Sequence, residues 1–123
     1  MVTITVGRTG AAGVLTVSGE IDFTSGPLLR AALDEVIDDP AATTLEAVVV
    51  DLSAVTFLGS AGLAVLVDAH DHATRRGLAL RVVIDGPGSA VARAFQAAAI
   101  HEHLDLRHEL GDALRGGDRR PAP

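Results

Sequence analysis

Residues 48–67 read VVVDLSAVTFLGSAGLAVLV, and the order of residue types within them decides the local architecture. Val48-Val49-Val50 is a continuous β-branched run, the pattern of a central strand covered on both faces. Asp51-Leu52-Ser53 leads from it into a small-residue turn. Gly59-Ser60-Ala61-Gly62 then opens a helix with Leu63, Leu66, Val67 and His70 on one side. Ser60 therefore falls at or next to a helix start. A hydroxyl there accepts a hydrogen bond from an unpaired backbone N–H, as an N-cap does. The same place suits an attached phosphate, because the free N–H groups and the positive dipole end attract anions. Local chemistry leaves both roles open.

Upstream, Val2 to Val6 alternates apolar and polar residues, as a half-exposed strand does. Gly7 to Gly13 contains three glycines and reads as a turn. Val14 to Ser18 is a second strand, which makes an opening antiparallel hairpin. Thr24-Ser25-Gly26-Pro27 carries cap chemistry and a proline suited to a first helical turn. Leu29, Leu33, Val36 and Ile37 follow at helical spacing until Asp39-Pro40 stops them.

Downstream, Gly77 ends the second helix, Leu78 to Ile84 is a strand and Asp85 to Gly88 a loop. Ser89 caps a helix that turns Val91 and Phe95 inward. Leu104-Asp105-Leu106 reads as a short last strand and Glu109 to Leu114 as a last helix. Strands alternating with helices after a hairpin predict an α/β layer fold with a mostly parallel sheet. Residues 1–115 form one domain in this reading. Residues 116–123, rich in Gly, Pro, Arg and Asp, form a disordered tail.

Composition narrows the chemistry. The chain has 123 residues, 48% of them apolar, with a net charge of -6. An acidic chain with three Phe and neither Trp nor Tyr lacks the cations and stacking platforms of nucleic-acid binders. It contains no Cys, and all ten of its basic residues are Arg. Thiol catalysis, thiolate zinc, Schiff-base lysine and P-loop chemistry are thereby excluded. The opening residues do not resemble a signal peptide, and the apolar run Val55 to Val67 is too short to span a bilayer. A cytoplasmic protein without membrane insertion is expected.

The stretch from Asp51 to Leu63 resembles the signature of the bacterial anti-sigma-factor antagonists of the STAS family. Gly19-Glu20-Ile21-Asp22 resembles that family's second marker. The two lie at the expected separation, and the element order matches from Val2 to about Leu114. The resemblance implies a STAS fold, opened by the hairpin and with helices packed on the sheet. It also implies a non-enzymatic protein that needs no cofactor and binds an anti-sigma factor which is itself a serine kinase. Binding frees the sigma factor, phosphorylation by the kinase switches the antagonist off, and a phosphatase restores it. By position the phosphoacceptor is Ser60. The partner surface comprises Asp22, Gly59, Ser60, Ala61, Gly62 and Leu63. Gly59 and Ala61 replace the acidic residue and second hydroxyl usual in the family's turn. They favour an alternative: a constitutive STAS scaffold in a stress-signalling or lipid-transport complex.

Other candidates are weaker. Asp22 reads equally as a solvated carboxylate ahead of a helix. Gly86-Pro87-Gly88 lacks the third glycine of a dinucleotide loop, where Val91 stands. Leu58 occupies the first glycine position of a nucleophile elbow around Ser60, which argues against a hydrolase. His101-Glu102-His103 lacks an evident third ligand, so no metal is expected. His72 reads as exposed, and Asp71 with Arg75 as an ordinary exposed helix pair.

Overall fold

The computed structural model describes residues 1–86, 88–99 and 103–115. In chain order the elements are β1 (Val2–Thr9), β2 (Ala12–Ile21), α1 (Gly26–Asp38), a 3₁₀ turn (Pro40–Thr44), β3 (Ala47–Leu58), α2 (Ser60–Arg75), β4 (Ala79–Val83), α3 (Ala90–Ala97), β5 (Asp105–Arg107) and α4 (Leu110–Arg115). The strands form one sheet in the order β1-β2-β3-β4-β5. β1 pairs antiparallel with β2, and every later pair is parallel. The fold is therefore the mixed α/β sheet that the sequence predicts.

A sheet growing steadily in one direction has a simple consequence. Crossovers between parallel strands share one hand, so α1, α2 and α3 all land on the same face. Leu15 and Val17 of β2, Val48, Val50 and Leu52 of β3, and Leu80 and Val82 of β4 point to that face. They pack with Leu29 and Leu33 of α1, Leu66 of α2 and Phe95 of α3. Alternate positions, Ala12, Val49 and Val83, turn the other way and meet Ala113 of α4. Val48, Val49 and Val50 all have 0% exposure, which is the two-sided burial that their continuous apolar run implies.

Three local expectations change. Gly7 to Gly13 is mostly strand: the ladder continues to Thr9↔Ala12 and leaves Gly10 and Ala11 as the loop. Gly10 takes φ +59° there, a conformation glycine adopts without strain. β3 does not end near Ser53 but runs to Leu58, paired along β2 through two register shifts. The shifts re-aim the strand, so Val55 and Leu58 are buried while Thr56 and Phe57 face out. On α2 the buried stripe is Gly62, Val65, Leu66, Ala69 and Ala73. Leu63, Val67 and His70 border it, half-buried.

Charged residues tie the layers together. His72 is half-buried, not exposed: Nε2 lies 2.8 Å from Asp38 and Nδ1 3.3 Å from Asp34, both on α1. Arg76 also donates to Asp38 at 2.8 Å. Arg76, then His72, hold the Asp38 carboxyl below its ordinary value despite some desolvation. Asp71 sits 3.4 Å from His103 rather than with Arg75. On the α4 side, buried Arg107 is held by Asp105 at 2.7 Å and Asp112 at 3.1 Å. Among the described residues, no helix is long and apolar enough to cross a membrane. The expected tail, 116–123, and the pair His101-Glu102 lie outside the described residues.

Candidate functional site at the start of α2

The site lies where the carboxyl ends of β2 and β3 deliver the chain to α1 and α2. In parallel α/β sheets, loops at strand carboxyl ends are the usual place for function. Gly59, not Ser60, is the N-cap of α2, with φ -89° and ψ 178°. Its N–H donates to the Ile21 carbonyl at 2.9 Å, and its own carbonyl accepts from Leu63 N–H at 3.1 Å. Ser60 is the first helical residue, so the capping role suggested for its hydroxyl is not the one observed. Among the described residues, no side chain caps this helix. The Ser60 side chain is exposed, and its hydroxyl makes no hydrogen bond among the described residues. First-turn N–H groups and the positive dipole end lie beside it.

Gly62 is where the packing is tightest. A Cβ at that position would lie 2.5 Å from Leu58 Cδ1 and 2.7 Å from Ile21 Cγ2. The missing side chain lets α2 seat directly on the ends of β2 and β3 and fixes where Ser60 emerges. Gly62 is buried, beneath the exposed Ser60. Leu63 is half-buried against the core. Ala61 abuts α1, 3.4 Å from where a Gly26 Cβ would stand.

The loop between β2 and α1 is organised by Asp22 and Ser25. The Asp22 carboxylate accepts from Thr24 Oγ1 at 2.7 Å, Thr24 N–H at 2.9 Å and Ser25 N–H at 3.0 Å. Ser25 Oγ accepts from Asp22 N–H at 2.8 Å. Its proton is within reach of Glu20 O at 2.9 Å and Asp22 Oδ1 at 3.1 Å. The Thr24 side chain first, then Ser25, lower the Asp22 pKa to about 2. Asp22 is thus a fixed anion that builds the loop, which extends the solvated-carboxylate reading with specific partners. The Ile21–Gly59 hydrogen bond ties together the residues that precede Asp22 and Ser60.

The sequence gives no special weight to Phe23 and Phe57, yet both stand at this end of the molecule with 86% and 48% exposure. Phe23, Pro27, Ala31, Ala61 and Val65 line an apolar depression between α1 and α2. Ser60, Leu63, Ala64, Val67 and Ala98 line another on the α3 side. The start of α2 is therefore a ridge between two apolar depressions. A signal was available in Phe23: it is an aromatic inside a polar turn, outside any periodic pattern.

Helices α1, α2 and α3 on one face of a β1-to-β5 sheet and α4 on the other, with a serine at the start of α2, define a small α/β domain built on one mixed sheet. The STAS domain family matches residues 3–113, and the chain belongs to that family. It is 34% identical over 115 residues to the anti-sigma-F factor antagonist RsfB of Mycobacterium tuberculosis, covering 94% of this chain and 88% of that protein. The crystal structure of an anti-sigma factor antagonist from Mycobacterium paratuberculosis superposes with a TM-score of 0.81 at 34% identity. That match covers 94% of this chain and 92% of the other. The Bacillus cell fate determinant SpoIIAA, in its phosphorylated form, superposes with a TM-score of 0.63 at 15% identity, covering 92% and 98% of the two chains. This last likeness is one of fold.

Proposed function

We propose that the protein is an anti-sigma-factor antagonist whose partner-binding surface is the exposed ridge at the start of α2. The partner is an anti-sigma factor with serine kinase activity, and its binding frees a sigma factor. The observation that carries the reading is Ser60: exposed, without a hydrogen bond among the described residues, and set beside apolar depressions. The mycobacterial relatives at 34% identity support the same reading. Phe23, Ala61 and Leu63 supply apolar area. Asp22 holds the neighbouring loop in place.

In this proposal the same ridge is also the point of regulation. Transfer of the γ-phosphoryl group of ATP to Ser60 Oγ, with release of ADP and loss of the hydroxyl proton to the kinase's base, adds roughly -1.5 to -2 charges. First-turn N–H groups stabilise the phosphate where it forms. The helix therefore survives modification while the apolar ridge acquires a dianion that the partner must desolvate. Phosphate acts as a removable repulsive element. The constitutive scaffold remains the second reading, favoured by Gly59 and Ala61. A Cβ on Gly59 would lie 3.2 Å from the Phe57 ring, so the glycine belongs to the packing of this turn.

Incubation with the cognate kinase and Mg-ATP, followed by mass spectrometry, is expected to place one phosphate on Ser60. Ser60→Ala should abolish labelling and retain binding to the anti-sigma factor, while Ser60→Asp should weaken binding at least tenfold. Unlabelled Ser60 together with equal affinities for the two variants would establish the scaffold reading instead.

A further inference from the structure

A second cluster of chemically active side chains lies ten residues along α2 from Ser60, about 15 Å at the helical rise. His70 and Asp71 of α2 meet His103, which precedes β5. One ligand atom from each lies within 4.8 Å of the others. The two imidazole rings stand edge to face with centroids 5.1 Å apart. His103 Nε2 is 3.4 Å from Asp71 Oδ1. His70 Nδ1 is shielded from solvent and has no hydrogen-bond partner among the described residues.

We propose that His70, Asp71 and His103 form a binding site for a first-row divalent cation of the zinc type. Two imidazoles and one carboxylate are the borderline nitrogen and oxygen donors such ions prefer, whereas calcium and magnesium demand more oxygen ligands. Ligand atoms around a tetrahedral zinc with bonds of about 2.0–2.2 Å lie about 3.3–3.6 Å apart. The Asp71–His103 edge already has that length. The remaining separations, all within 4.8 Å, can close by rotation of side chains, because His103 and Asp71 are each 51% exposed. His70 has an unpartnered ring nitrogen, so the ring is not already committed to a hydrogen-bond network through that atom. Three protein ligands leave a coordination position for water or for a donor from another molecule.

The sequence spacing hides this site. His70 and Asp71 are adjacent on a helix, and His103 is over thirty residues away. Only the packing of the β5 approach against α2 joins them. A bound cation would cross-link α2 to the segment that follows α3, and so brace the helix whose other end carries Ser60. The site does not depend on the proposed partner interaction.

Calorimetric titration of the untagged full chain with zinc chloride tests the site. One saturating equivalent is expected, with affinity at least tenfold weaker in His103→Ala and in Asp71→Asn, and unchanged in the exposed control His108→Ala. Zinc should also raise the midpoint of thermal unfolding of the wild type but not of the two site variants. Both substitutions are at half-exposed positions, and circular dichroism verifies that the variants remain folded. Absence of saturable binding, or wild-type affinity in either site variant, would overturn the proposal.

Discussion

Two serines stand at the starts of two adjacent helices, and the structure treats them in opposite ways. Ser25 precedes α1 and is 6% exposed. Its hydroxyl is held between Asp22 N–H at 2.8 Å and Glu20 O at 2.9 Å. Ser60 begins α2, is exposed and has no such bonds among the described residues. As sequence, both are small hydroxyl residues in Gly-containing turns, and both invite the same capping assignment. In the structure neither caps its own helix by a side-chain hydrogen bond. One hydroxyl is spent on building a loop, and the other is presented to solvent. At the start of α2 the N-cap position belongs to Gly59, which leaves the Ser60 hydroxyl outside the capping arrangement.

The sharpest way to break this contrast is to exchange the fates of the two serines. With the cognate kinase, Ser25→Ala should retain full labelling on Ser60, and Ser60→Ala should show none on Ser25. The stability effects should run in reverse. Ser25→Ala leaves Asp22 N–H and Glu20 O without their partner and should cost about 1–3 kcal/mol in urea unfolding. Ser60→Ala should stay within about 0.5 kcal/mol of wild type. Label on Ser25, or equal destabilisation by the two substitutions, would contradict the assignment.

Gly62 tests whether the position of Ser60 depends on close packing beneath it. Gly62→Ala pushes a methyl against Leu58 and Ile21 and should lower stability by about 1–3 kcal/mol, the usual cost of overpacking. Partner binding should fall with it, because the first turn must lift. Phe23→Ala separates binding from folding at the same surface. Phe23 is 86% exposed, so urea unfolding should hardly change, while loss of an aromatic anchor should weaken association by about 1–2 kcal/mol.

The smallest effect concerns Asp22. Its carboxyl titrates near pH 2 when folded, against an ordinary value of 3.8. A lowered folded pKa means that the unfolded chain takes up the proton first as pH falls. The contribution of Asp22 to stability is therefore complete above its ordinary pKa and is lost as pH drops from about 4 towards 2. Side-chain carboxyl NMR should place its midpoint near 2, and Asp22→Asn should flatten this part of the stability profile.

Much of this molecule is legible in the order of its residues. Continuous apolar runs such as Val48 to Val50 mark a strand buried on both faces. Periodic Leu29, Leu33 and Ile37 mark a helix, and Gly or Pro mark the stops. These signals are local, so a linear reading captures them, and they suffice for a mixed α/β sheet with Ser60 at a helix start. Other features arise between segments distant in the chain. The extension of β3 to Leu58 depends on pairing with the end of β2, and the Gly59 cap is fastened to Ile21. The exposure of Phe23 and Phe57 depends on what the core leaves uncovered. Local residue order is enough for the fold class and for the place of the hydroxyl at a helix start. Only tertiary packing decided that Ser25 is locked, that Ser60 is free, and that His103 meets His70 and Asp71, because burial and hydrogen-bond partners are properties of neighbours in space.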